Sequence, residues 1–148
     1  MIPRPALLLG LAGLLPFLWG LGTLIAPPLH ALTLQTLGPR FTGPYVLIAY
    51  GTVILSFMSG VLWGFAATGA EHRKRGYALS VLPALWAFFM VGGGAEAALS
   101  ALITGFLALL ALDMQFSVWG LTPRWWMRLR VILTGGVVAC LAGALMLG

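Results

Sequence analysis

Charge is what this sequence most lacks. Only 7% of its 148 residues are Asp, Glu, Lys or Arg, where a soluble domain carries about a quarter. So few charges cannot cover a surface facing water on all sides, so a soluble globular domain is excluded and an integral membrane protein remains. Cysteine is nearly absent too. Cys140 stands alone, so no intrachain disulfide can form and the redox compartment is not legible. The apolar stretches show no alternation of polar and apolar residues, which removes the strands of a transmembrane barrel and leaves an all-α bundle. The basic residues are too few and too scattered to point to nucleic acid.

What is present suits hydrocarbon: 61% hydrophobic residues and a mean hydropathy of +1.04. The apolar sequence divides into five expected spans, at about 5–26, 44–68, 77–91, 95–113 and 127–147, in one membrane domain. Each has roughly the 15 to 25 residues that a crossing uses, the third and fourth being short. Gly92, Gly93 and Gly94 separate those two, and a triple glycine favours a tight turn. The first span is expected to be retained rather than cleaved, because its apolar run is long and "APP" (26–28) is a poor cleavage site.

Five spans put Arg4, Arg73, Lys74, Arg75, Arg124, Arg128 and Arg130 on one side and Arg40 alone on the other. The basic side of short loops faces the cytoplasm. The N-terminus is therefore expected inside and the C-terminus outside. Trp63, Tyr77, Trp119, Trp125 and Trp126 then fall near the inner interface, and Trp19, Tyr45 and Tyr50 toward the outer one, the two belts expected of amphipathic rings. Between the first two spans, Leu29 to Leu37 is apolar enough to lie along the membrane surface as a short helix, bracketed by Pro27, Pro28 and Pro39.

"YGTVILSFMSGVLWG" (50–64) gives every fourth position to a small residue: Thr52, Ser56, Gly60 and Gly64. Such positions lie along one side of a helix. Lipid tails are as apolar as leucine, so helices associate in membranes through close contact and interhelical hydrogen bonds, both of which small residues permit. These positions are expected to form a packing seam, with Ser56 or Ser59 hydrogen-bonding across it. Gly135, Ala139 and Gly143 make a similar ridge on the fifth span, a candidate neighbour for the second. The seam serves either packing within the bundle or contact with a second copy or another protein. Pro16 and Pro83 remove backbone donors inside apolar sequence and are expected to bend their helices. Trp86, near the middle of the third span, needs a partner for its indole N–H or a polar cavity.

Groups able to do chemistry are few. The acids are Glu71, Glu96 and Asp113, and the histidines His30 and His72. Asp113 ends the fourth expected span, where Arg124, Arg128 or Arg130 can pair with it at the interface; the alternative is a proton or substrate site. The dense "EHRKR" run (71–75) can touch anionic headgroups. Adjacent Glu71 and His72 do not make a metal-coordination set, and neither histidine lies within a span as a bis-histidine haem would require. No nucleophile with a base at a known spacing, phosphate loop or paired-cysteine motif is found. Neither catalysis nor a cofactor is expected.

Tyr50, Gly51, Leu55, Ser56, Phe57, Gly60, Trp63 and Gly64, with Ser80, Pro83, Ala84 and Trp86, then Asp113 and "TPRWWMRLR" (122–130), resemble the transmembrane protein 69-like family, also called domain of unknown function 3429. The resemblance runs from about Pro5 to Thr134, with Met58-Ser59 departing from the family's bulkier-then-glycine pattern. It implies a small multi-span protein of bacterial inner membranes and mitochondria and implies no activity. The expected role is a non-catalytic structural, accessory or assembly protein of a bacterial inner-membrane complex, in contact with lipids and with other membrane subunits or itself. The alternative is a small transporter or binder of a lipid-like molecule such as a quinone, with Trp86, Pro16 and Pro83 around a pocket.

Overall fold

The computed structural model describes residues 1–69 and 71–147, the side chain of Arg73 excepted. Among the described residues the regular structure is helical: α1 (Arg4–Ala12), α2 (Leu15–Ile25), α3 (Pro27–Thr36), a 3-10 turn (Pro39–Phe41), α4 (Tyr45–Thr68), α5 (Arg73–Ser80), α6 (Leu82–Met90), α7 (Ala95–Val118) and α8 (Trp126–Leu147). Among the described residues four stretches are long and apolar enough to cross a membrane: Arg4–Ile25, α4, α7 and α8. The chain is an all-α membrane protein.

The first of these is broken. Pro16 has no N–H for the carbonyl of Ala12, and the helix gives way at Gly13 and Leu14, where the Gly13 N–H reaches back to Leu9 and the Leu14 N–H to Leu11, each at 3.0 Å. After the break α2 lies on α4, while Gly10 of α1 sits against Leu129 and Leu133 of α8. The expected third span, 77–91, is not one helix. It is replaced by α5 and α6, of eight and nine residues, with rises of about 12 and 14 Å. Pro83 stands at the start of α6, where a missing N–H costs least, so the helix restarts there. The expected fourth span stopped at Asp113, but α7 continues to Val118 because that carboxylate is neutralised inside the bundle, as described below. Between α2 and α4, where a surface helix was expected, α3 is helical.

Ends of different helices meet at two levels. Leu24, Pro44, Ala95 and Leu145 line one cavity of about 360 Å³. At the opposite end Phe65 meets Trp126 with ring centroids 5.0 Å apart, and His72 stacks on Trp119 at 4.8 Å. The segment 71–95 therefore runs from one of these levels to the other, with α5 and α6 antiparallel to α4.

The core joins Phe17 of α2, Leu47, Leu55 and Leu62 of α4, Leu102, Phe106 and Leu109 of α7, and Leu141 of α8. α4 packs on α2, α5, α6 and α7, and α8 packs on α7, α2 and α1. The expected pairing of α4 with α8 is thus corrected. α7 lies between them, because its buried face, Ala98 to Phe116, carries small and large residues that fit both neighbours.

Candidate functional site: a buried polar clamp and two open grooves

Asp113 is 0% and Arg130 4% exposed. The Arg130 Nε–H donates to Asp113 Oδ2 at 2.8 Å, and the Trp126 Nε1–H donates to Asp113 Oδ1 at 3.0 Å. A guanidinium nitrogen of Arg130 also reaches Thr134 Oγ1 at 3.4 Å. Geometry explains the choice of arginine. Arg130 and Trp126 are four apart and so share one face of α8, the face turned to α7. Arg124 and Arg128 are exposed and take no part in the pair. The pair is buried rather than interfacial: Asp113 is five residues from the end of α7, and Arg130 lies four into α8. Both carboxylate oxygens accept from charged or aromatic N–H groups, so the site is a neutral clamp between α7 and α8. A cavity of about 150 Å³, lined by Gly10, Gly13, Phe106, Arg130 and Thr134 among others, lies beside it.

A second polar device explains the break between α5 and α6. A continuous helix would bond the N–H of Ala84 to the carbonyl of Ser80. The hydroxyl of Ser59, on α4, stands between them: it donates to the Ser80 carbonyl and accepts from the Ala84 N–H at 3.2 Å. A side chain inserted in this way is a recognised cause of a kink. It also satisfies both backbone groups, which hydrocarbon would otherwise leave unpaired. The Ser80 hydroxyl donates in turn to the carbonyl of Tyr77 at 2.8 Å.

Ser59 is buried and bonds across as expected, but the rest of the seam inside the bundle lies one residue away from the expected Thr52, Ser56, Gly60 and Gly64. On α4 the buried positions are Gly51, Leu55, Met58, Ser59, Leu62 and Ala66. Thr52 is half-buried and its hydroxyl bonds back to Ile48. Ser56, Gly60 and Gly64 are exposed, and among the described residues nothing beyond the helix's own backbone lies within 4 Å of a Cβ placed at Gly60 or Gly64. On α8 Gly135 and Ala139 are exposed, while Gly136 meets Leu14, and Gly143, at the edge, meets Leu21. One residue is about 100° around a helix. Every face of a membrane helix is apolar, so spacing marks candidate faces without saying which is inward. The inward face is set by matched pairs: Gly51 receives Leu102, and Gly105 receives Leu55 and Trp86.

The expected pocket is also corrected. Trp86 and Pro83 line an open apolar groove of about 570 Å³ between α6 and α7, whereas Pro16 lines another of about 500 Å³ between α2 and α4. The two helix breaks, one at Pro16 and one at Pro83 with Ser59, lie against different neighbours and so do not converge. The indole N–H of Trp86 donates to the Ala101 carbonyl at 2.7 Å. Arg40, which entered the sequence reading as the lone basic residue of the outer side, lies at the mouth of the second groove. Among the described residues no three His, Cys, Asp or Glu side chains gather as a metal site would need.

The profile of the family described as "Protein of unknown function (DUF3429)" matches residues 2–146. The protein named Transmembrane protein 69 from Xenopus tropicalis is 34% identical, over 97% of this chain and 54% of its own length. The one of that name from Mus musculus is 31% identical, over 89% of this chain and 51% of its own. The chain thus spans about half the length of the curated relatives it matches. No solved structure matches it. A multi-pass helical protein matched over nearly its whole length in this way belongs to the DUF3429 family, the transmembrane protein 69-like proteins.

Proposed function

We propose that the protein is a non-catalytic accessory or assembly component of a bacterial inner-membrane complex, crossing the membrane five times with its N-terminus in the cytoplasm and its C-terminus outside. The carrying observation is the bare notch on α4. Gly60 and Gly64 present backbone with no side chain over it and, among the described residues, nothing beyond the helix's own backbone against it, between the exposed Phe57 and Trp63. Exposed apolar side chains alone carry no weight in lipid. A backbone left open to close approach does, because tight contact drives association there. The bonded state of the buried polar groups agrees with a supporting role: Asp113 has both oxygens occupied.

The fifth crossing is the α5–α6 segment, which passes from the Trp119 end of the bundle to the Pro44 end. The orientation is supported by Arg4, Lys74, Arg75, Arg124 and Arg128 at the Trp119 end and by Arg40 at the other.

A cysteine at Gly64, in a chain with Cys140 replaced by alanine, is expected to crosslink in native membranes to a second polypeptide or a second copy. Leucine at Gly60 should abolish that crosslink while leaving the monomer folded. Recovery of an uncrosslinked, monodisperse monomer under all conditions would sink the reading. For orientation, a cysteine at Leu147 should react with an impermeant thiol reagent added outside sealed cells. Reaction only after lysis would reverse the topology.

A further inference from the structure

We propose that the groove between α2 and α4 holds an acyl chain of an anionic phospholipid whose phosphate pairs with Arg40. This adds to the assembly role and is independent of it. The groove, about 500 Å³, is of the size that small-molecule sites have. Its floor is the face of α4 that carries Val46, Ala49 and Val53. Those residues span about 10 Å along the helix, from the headgroup end toward the middle of the bundle. Ala49 lowers the floor between two branched side chains. Leu15, Pro16 and Trp19 of α2 form the wall. Leu15 is exposed and Pro16 half-buried, just after the break at Gly13 and Leu14 from which α1 leads to α8.

The occupant's chemistry is read from the mouth. Arg40 is the single Arg or Lys in the segments 26–44 and 91–95 at this end of the bundle. It is exposed on the 3-10 turn, with its guanidinium 5.8 Å from the Phe41 ring centroid. Among the described residues the ion pair is Arg130 with Asp113, so Arg40 has no carboxylate partner. Glu96, the acid at the same end, lines a different cavity with Leu24 and Pro44. A lone guanidinium over an apolar trough is complementary to a molecule with a negative phosphate at one end and a hydrocarbon tail at the other, and guanidinium matches phosphate bidentately. A neutral quinone would leave that charge unanswered.

The test reconstitutes the full chain in vesicles of equal phosphatidylglycerol and phosphatidylcholine, extracts it in mild detergent and quantifies the retained lipid by mass spectrometry. The ratio of phosphatidylglycerol to phosphatidylcholine in the retained lipid should be about fivefold above that of the vesicles, the factor equivalent to about 1 kcal/mol for one basic residue near the headgroups. Arg40→Gln should remove the enrichment. Ala49→Trp, or Val53→Phe should the first variant not fold, should remove the retained lipid itself. No enrichment in the unaltered chain overturns the proposal. So does enrichment that survives Arg40→Gln, since the tail alone would then be recognised. Enrichment lost in Arg40→Gln but untouched by the groove-filling variants also overturns it, because the headgroup would then bind at the surface without the groove. Preferential retention of an added quinone over phosphatidylglycerol assigns the groove to the other occupant.

Discussion

Asp113→Ala should destabilise the protein by about 3–5 kcal/mol, the cost of leaving one member of a buried ion pair without its partner. Arg130 is 4% exposed, and its remaining contact, Thr134 Oγ1 at 3.4 Å, is neutral and long. In hydrocarbon a lone guanidinium must be hydrated or drawn toward the interface, and either requires α8 to move from α7. Replacing both groups at once, Asp113→Leu with Arg130→Met, should recover most of the loss, because no charge is then stranded. Trp126→Phe should cost about 1 kcal/mol, one hydrogen bond. Unfolding of the purified chain in detergent, read as a double-mutant cycle, checks all three. The double variant decides the question: if it is as unstable as either single variant, the clamp has a role beyond mutual neutralisation. A surface ion pair would behave differently, with singles and double alike within about 1 kcal/mol of the unaltered chain.

The second large effect is expected at Gly105. A Cβ placed there would stand 2.8 Å from Leu55 Cδ2 and 2.9 Å from Trp86 Cδ1, so α4, α6 and α7 meet over a bare backbone. Gly105→Leu should cost about 3 kcal/mol, the upper part of the range for overfilling a packed core. It should also displace Trp86 from the Ala101 carbonyl. The comparison is Gly60→Leu, where the space is open and stability should change by no more than about 0.5 kcal/mol. Both replace a helical glycine by the same residue, so intrinsic helix preference cancels and the difference reports contact alone. Equal losses in unfolding assays would mean that Gly60 is covered within the monomer.

Composition carried the membrane class, and hydropathy placed α4 and α8 to within a residue or two. Other features were not readable, for identifiable reasons. Asp113 looked like a span's end because a carboxylate in hydrocarbon is costly, and its neutralisation depends on a residue across a turn. Arg124, Arg128 and Arg130 are equivalent as charges; only the four-residue step to Trp126 distinguishes Arg130. The small-residue period was visible on α4, but its phase was not. Gly51 and Gly105 belong to no obvious repeat and became meaningful only when Leu102, Leu55 and Trp86 were seen to enter them. The α5–α6 break needed Pro83 and Ser59; both were noticed, Ser59 as a hydroxyl able to bond across the seam, but its partners, 21 and 25 residues away, were not readable.

That serine has a bearing on the bend itself. Until α4 stands alongside, Ser80 and Ala84 can answer each other only by straightening α5 and α6 into one helix. Arrival of the Ser59 hydroxyl exchanges that one bond for two and leaves the bend in place. The bent form of this segment therefore belongs to the hairpin with α4 and not to the segment by itself.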